Sequence, residues 1–183
     1  MAPRQLFDVP SFSSDAPEAV TVVIETSKGS RNKLGFDPDI GAMRLKHVLP
    51  EGASFPFDFG FIPRTRGGDG DPLDVLVFLD EPLPAGTVLD VRLIGVVEAR
   101  QRDGDDVVEN NRYLGVPVAA RSSAHVHTLD DLRPGLIAEV EAFFQHYNAQ
   151  RGTDFELLGR GGPERAVVLV REGVEAGRRP ARS

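Results

Sequence analysis

Two kinds of hydrophobic spacing occupy different parts of this chain, and their order constrains the fold more than any single motif. Alternating or continuous β-branched segments fill the N-terminal part, and helical spacing begins only after Pro134. A doubly wound sheet needs a helix between successive parallel strands. The order here predicts an α+β, mainly β fold: a mostly antiparallel sheet or small barrel with late helices packed against it. Strands are expected over 20–25, 31–36, 43–48, 75–79, 87–97 and 112–118, with a hairpin tip at 102–106. Residues 43–48 alternate apolar and basic, the pattern of a half-buried strand. Phe55, Phe57, Phe59 and Phe61 recur with period two, which puts four rings on one face of an extended segment. Leu136, Val140, Phe143, Phe144 and Tyr147 recur at helical spacing and predict a helix over 136–150; a second is expected over 164–175. Thr128 to Asp131 has the form of a capping box with Asp in place of Glu, and 159–163, rich in glycine, reads as a turn. The expected division is an irregular arm over 1–18, one domain over 19–177 and a basic tail over 178–183.

Composition excludes several function classes. The formal net charge is −7, without the basic footprint of a nucleic-acid-binding domain. The chain has no cysteine, so disulfides, thiolate metal sites, iron–sulfur clusters and cysteine nucleophiles are all excluded. No apolar run approaches the ~18 residues that cross a bilayer, and the polar first 19 residues lack the apolar stretch of a secretory signal. A cytoplasmic setting is expected, with no membrane partner. His125 and His127 can share a strand face but have no third ligand nearby, and there is no Gly-x-Ser-x-Gly elbow or P-loop lysine.

The segment from Gly67 to Val77 carries the chemistry. Asp69, Asp71 and Asp74 lie on a turn that Gly70 and Pro72 bend into an apolar strand. Like charges about 4 Å apart repel by about 1 kcal/mol per pair even in water, and by more at lower dielectric. A compact turn tolerates this poorly without a cation, and carboxylate oxygens suit Mg²⁺, Mn²⁺ or Ca²⁺. Mg²⁺ takes one or two carboxylates and fills its shell with waters and phosphate oxygens, so several carboxylates point to more than one ion with phosphate as a shared ligand. The competing explanation is a solvated acidic turn. An EF-hand loop is a poorer fit, because no Gly stands at loop position six and an apolar strand follows.

Asp69-Gly70-Asp71-Pro72-Leu73-Asp74-Val75-Leu76 resembles the signature of the soluble family I inorganic pyrophosphatases. The resemblance spans about 22–148 and includes Ile24-Glu25, Asn32-Lys33, Phe59-Gly60-Phe61-Ile62, Gly115-Val116-Pro117 and Phe143-Phe144-Gln145-His146-Tyr147. It implies a compact five-stranded, OB-like barrel flanked by helices, a Mg²⁺ requirement and a homo-oligomer, hexameric in bacterial members. By position, it makes Asp69, Asp71 and Asp74 metal ligands, with Asp71 also serving the nucleophilic water. Lys33 and Tyr147 become phosphate-binding groups and Glu25 their acidic support. Asp105 is the nearest match to a further metal aspartate, with Asp103 and Asp106 as alternatives at the same hairpin tip. Taken singly, without the resemblance, Lys33 and Arg112 are ordinary surface cations and Tyr147 a core residue.

The family pattern is also broken. His47 stands for a phosphate-binding arginine, Phe55 and Phe59 for tyrosines, Gly35 for a carboxylate and Asn110 for a metal aspartate. Arg112 stands for a lysine and Asn148 for the lysine after the tyrosine. Each buried charge-assisted hydrogen bond lost costs about 1.5–3 kcal/mol. His47 restores one contact if protonated, and Arg31, Arg44, Arg64 and Arg66 are candidate replacement donors. The expected function is Mg²⁺-dependent hydrolysis of pyrophosphate to phosphate. The alternatives are hydrolysis of another phosphoanhydride, or a catalytically weak oligomer that binds metal or phosphate.

Overall fold

A computed structural model describes residues 6–179 and contains nine strands and two α-helices among them. The strands are β1 (Val20–Thr26), β2 (Asn32–Asp37), β3 (Ala42–Val48), β4 (Asp58–Ile62), β5 (Leu73–Val77), β6 (Val88–Asp103), β7 (Asp106–Glu109), β8 (Arg112–Pro117) and β9 (Asp154–Gly161). The helices are α1 (Leu136–Ala149) and α2 (Pro163–Arg178).

The β-branched runs of β1 and β5 are buried because both enter a ring of strands. The ring runs β1–β4–β5–β8–β6, and β6 pairs back onto β1. It is the expected OB-like architecture, extended by β7 and β9 on the long strand β6 rather than closed as a strict barrel. One ring pairing departs from an all-antiparallel barrel. β5 and β8 are parallel, because the chain crosses through the β6–β7 hairpin before β8 returns beside β5. Gly60 is required where β4 meets β1: a Cβ there would lie 2.2 Å from the Val23 carbonyl oxygen.

Each helix covers a different side of this sheet. Leu136, Ile137, Val140, Phe144 and Tyr147 of α1 pack with Phe55, Phe59, Leu76, Ile94 and Leu114. Ala166 and Val170 of α2 pack with Val22, Val75, Val91, Val96 and Tyr113. The capping box forms as expected, with the Thr128 amide donating to Asp131 Oδ2 at 2.8 Å. It caps a short 3₁₀ turn, Leu129–Asp131, while α1 itself starts after Gly135 at φ 82°.

Four local expectations are corrected. The phenylalanine row shares a face only in part: Phe55, Phe59 and Phe61 line one cavity, whereas Phe57, which precedes the regular strand that begins at Asp58, turns away from it. Phe55 and Phe59 join the α1 core, Phe57 packs on Phe78, and Phe61 packs with Phe36 and Phe7. β3 pairs only with β2 and is largely exposed, so its alternation does not mark a buried face. Residues 159–161 lie in β9, not in a turn. β6 supplies them a long pairing edge despite the glycines, with Arg160 opposite Val97 and Gly159 opposite Glu98. The segment 164–175 extends to Arg178, so only part of the anticipated tail is outside a helix, and residues 180–183 lie outside the described residues.

Residues 6–18, the described part of the N-terminal arm, dock on the ring. The Ser11 hydroxyl donates to the Pro63 carbonyl at 2.6 Å, Phe12 bridges to Val20, and Phe7 packs edge-on against Phe36 and Phe61.

Candidate active site

The loop between β4 and β5 is held by its own backbone. Gly67 N–H donates to the Asp71 carbonyl at 2.7 Å, Gly70 N–H donates to the Gly67 carbonyl at 3.2 Å, and Gly70 takes φ 89°. The Asp71 amide donates to Asp69 Oδ1 at 3.1 Å, an Asx-type turn. Buried Thr65 ties the loop to the sheet by accepting from the Leu73 amide at 3.0 Å and donating to the Ile62 carbonyl at 2.6 Å. Arg66 N–H donates to the Gly173 carbonyl of α2 at 2.9 Å. Gly68 lets the loop press on β7: a Cβ would lie 2.7 Å from the Glu109 carbonyl oxygen.

This fixed loop presents Asp69, Asp71 and Asp74 to a cavity of about 390 Å³. Glu25, Lys33, His47, Arg112, Tyr147 and Asn110 line the same cavity. The expected site residues therefore converge, with one exception. Asp105 does not reach the cavity; it follows Gly104 (φ 61°) in the turn of the β6–β7 hairpin, with Asp103 and Asp106 paired across it. β6 runs on past the ring and carries this tip away. Gln101, lower on the same hairpin, lines the cavity and accepts from Asn110 Nδ2 at 2.7 Å. The sequence reading missed Gln101 because no local motif marks it. Asn110 is also less free than a metal ligand should be, since its Oδ1 accepts from Arg112 Nη1 while its Nδ2 is held by Gln101.

The electrostatics follow from burial. Arg112 is 4% exposed, pairs with Asp74 Oδ2 at 2.8 Å, and stacks 4.9 Å from the Phe144 ring centre. Its Nε has no hydrogen-bond partner although buried. Lys33 Nζ lies 3.2 Å from Glu25 Oε2 and 3.8 Å from the centre of the Phe59 ring, so the phenylalanine that replaces a tyrosine contributes a cation–π face. Glu25 Oε1 also accepts from the Phe36 amide at 2.8 Å. Burial moves both members of this pair towards neutrality, raising Glu25 and lowering Lys33, and each opposes the shift in the other. Burial, reinforced by Asp74 and Asp71, pushes the Asp69 carboxyl up to about 6. Burial likewise raises Asp74, against the pull of Arg112 and Lys33.

His47 does not supply the missing cation. Its Nε2 lies 2.6 Å from the Tyr147 hydroxyl, and burial, with Arg151 and Lys33 nearby, lowers its pKa below the usual histidine value. Asn148 is structural as well as cavity-lining, with its Nδ2 donating to the Phe144 carbonyl at 2.8 Å. The four candidate replacement arginines are engaged elsewhere. Arg31 pairs with Glu51 and Arg44 with Asp37, Arg64 donates to the Asp8 carbonyl, and Arg66 donates to the Arg179 carbonyl and borders a separate cavity of about 260 Å³.

The family model described as inorganic pyrophosphatase matches residues 22–178. The chain belongs to the inorganic pyrophosphatase family. The inorganic pyrophosphatase of Thermus thermophilus is 40% identical over 134 residues, covering 73% of this chain and 74% of that protein. That of Nostoc sp. is 36% identical over 160 residues, covering 87% and 92%. The crystal structure of the Thermus thermophilus enzyme superposes with a TM-score of 0.86 at 32% identity, covering 96% of this chain and all of the other. That of the Neisseria gonorrhoeae enzyme gives 0.85 at 29%, covering 94% and 99%. Family members are hydrolases, and the cavity described above is where this pyrophosphatase gathers its acidic and cationic side chains.

Proposed function

We propose that this chain hydrolyses inorganic pyrophosphate to two phosphates by direct attack of water, with Mg²⁺ as cofactor and Mn²⁺ as a substitute. The observation that carries the reading is the convergence of Asp69, Asp71 and Asp74 with Lys33, Arg112 and Tyr147 on one cavity. The donor set fits a hard divalent ion. Burial first, and then the like charges of Asp74 and Asp71, raise the Asp69 carboxyl to about 6, and a cation at the site would offset both. Among the described residues no three acidic or histidine side chains form a finished cage. An ion held here would therefore need waters and phosphate oxygens to complete its shell. Asp69, Asp71 and Asp74 would hold it. When bound, Mg²⁺ offsets phosphate charge and brings the pKa of water towards neutrality.

Asp71 is exposed to the cavity, and its carboxylate takes the proton of the attacking water. The water oxygen bonds to one phosphorus as the bridging P–O bond breaks, and the electron pair leaves with the second phosphate. Lys33, Arg112 and Tyr147 stabilise charge on that leaving group. Glu25 fixes the Lys33 ammonium, Asp74 fixes the guanidinium, and His47 orients the Tyr147 hydroxyl. Family membership supports a cytoplasmic homo-oligomer, hexameric by resemblance, as the working form.

The Gln101–Asn110 amide pair favours a second reading. Two neutral side chains line the wall where the family resemblance implies an acidic metal ligand at position 110, which suits a slower site or a different phosphoanhydride. Phosphate release from pyrophosphate and from ATP, each with Mg²⁺, separates the readings. Pyrophosphate turnover that EDTA abolishes supports the first. Release from ATP alone, or from neither, overturns it.

A further inference from the structure

Four cationic side chains, Lys33, Lys46, Arg112 and Arg151, line the cavity; Arg151 lies over the Tyr147 ring at 5.5 Å from its centre, and two of the other three are already engaged in ion pairs. Lys33 is paired with Glu25, and Arg112 with Asp74. Lys46 lines the same cavity and makes no ion pair among the described residues. It lies beside His47, which also lines the cavity. Adjacent residues of a regular strand point to opposite faces, so one feature of the hairpin must turn both inward.

That feature is a β-bulge. Lys33 pairs with His47, but Leu34 pairs with Leu45, so Lys46 is the unpaired extra residue on β3. A bulge bends its strand and re-aims a side chain, here beside the site. The second feature is Gly35, across the hairpin. A Cβ at Gly35 would lie 2.7 Å from Lys46 Cε and 3.1 Å from its Cγ. The lysine stem therefore occupies the space that any larger residue at position 35 would fill. Gly35 has an ordinary backbone conformation, so the space above it, not its flexibility, is what the lysine uses.

We propose that Lys46 is a phosphate-binding residue of this pyrophosphatase, delivered to the cavity by the β3 bulge and the gap over Gly35. Its ligand is a terminal phosphoryl group of a diphosphate, and it supplies the positive charge that neutral His47 does not. This rests on the diphosphate reading above. It explains why a glycine and an exposed lysine stand together at positions the motif does not cover. Because the ammonium is partly solvated, its contribution is modest and sensitive to salt.

The test compares the parent with Lys46→Ala, Lys46→Arg, Gly35→Ala, the Gly35→Ala/Lys46→Ala double variant and Arg44→Ala. Arg44 is the control, a neighbouring β3 cation already paired with Asp37 at 2.6 Å. Two quantities are read with Mg²⁺ present: KM for pyrophosphate, and calorimetric Kd for methylenediphosphonate, which is not hydrolysed. Lys46→Ala should raise both about fivefold with little change in kcat, Lys46→Arg should retain most binding, and Arg44→Ala should change neither. Gly35→Ala should match Lys46→Ala, and the double variant should be no worse than either. Parent-like binding by Lys46→Ala, or additive effects of the two substitutions, overturns the proposal. A parent that neither binds the diphosphonate nor turns over pyrophosphate overturns the diphosphate reading itself, and this inference with it.

Discussion

Replacing Arg112 with methionine tests whether the buried ion pair at the head of β8 is a unit. The substitution keeps a long apolar stem against Phe144 and Phe155 but removes the guanidinium, leaving the Asp74 carboxylate without its 2.8 Å partner. Breaking a buried pair from one side costs about 3–5 kcal/mol. The Asp74 side chain is 23% exposed, so water offsets part of the loss, and the low end, about 3 kcal/mol, applies. At this chain length 1 kcal/mol corresponds to about 2–4 °C, so the midpoint should fall by about 6–12 °C. The assay is thermal unfolding by far-ultraviolet circular dichroism in EDTA, which removes stabilisation by bound metal. Adding Asp74→Asn to Arg112→Met should recover part of the loss, since the stranded charge goes too, with a coupling of at least about 1 kcal/mol. If the two substitutions are additive to within about 0.5 kcal/mol, the reasoning fails.

Other perturbations address the remaining parts of the site. Asp71→Asn should lower kcat by about 10²–10⁴-fold as a lost proton acceptor, with an unfolding midpoint close to the parent's because the carboxylate is exposed. Gly68→Ala should lower both stability and kcat, as its Cβ would meet the Glu109 backbone and shift the aspartate loop; an unchanged kcat would detach that contact from the site. His47 has a lowered folded-state pKa, from burial first and then Arg151 and Lys33. Its contribution to stability is therefore present above the unfolded value of about 6.5 and lost as pH falls through the folded value. The parent should lose more thermal stability than His47→Gln between about pH 7 and pH 5, and parallel losses would exclude the assignment.

Legibility in the sequence tracked how local each signal was. β1 and β5 could be read from contiguous β-branched runs, and α1 from its 3.6-residue spacing, because burial there follows directly from pattern. β9 could not, since its alternation covers only Asp154 to Leu157 and the glycine-containing remainder owes its order to pairing with β6. The phenylalanine row is legible for Phe55, Phe59 and Phe61 but not for Phe57, because period two places side chains reliably only where the chain is a regular strand, and that begins at Asp58. In the site, Asp69, Asp71 and Asp74 were visible as one local cluster of repelling charges. Glu25, Lys33, Arg112 and Tyr147 are ordinary one by one and are marked only by the resemblance, because the site gathers them from two ring strands, the β2–β3 hairpin and α1, which are far apart in sequence. Gln101, Lys46 and Arg151 escaped both routes. They reach the cavity through hairpin pairing, a bulge and the end of α1, none of which leaves a sequence signal.

The most direct measurement is product analysis after incubating metal-stripped protein with pyrophosphate in oxygen-18 water, with and without added Mg²⁺. The account predicts no turnover until Mg²⁺ is added, then two phosphates sharing a single solvent oxygen, with the signal lost again in EDTA. Turnover indifferent to EDTA, or no labelled phosphate at any Mg²⁺ concentration, would contradict it.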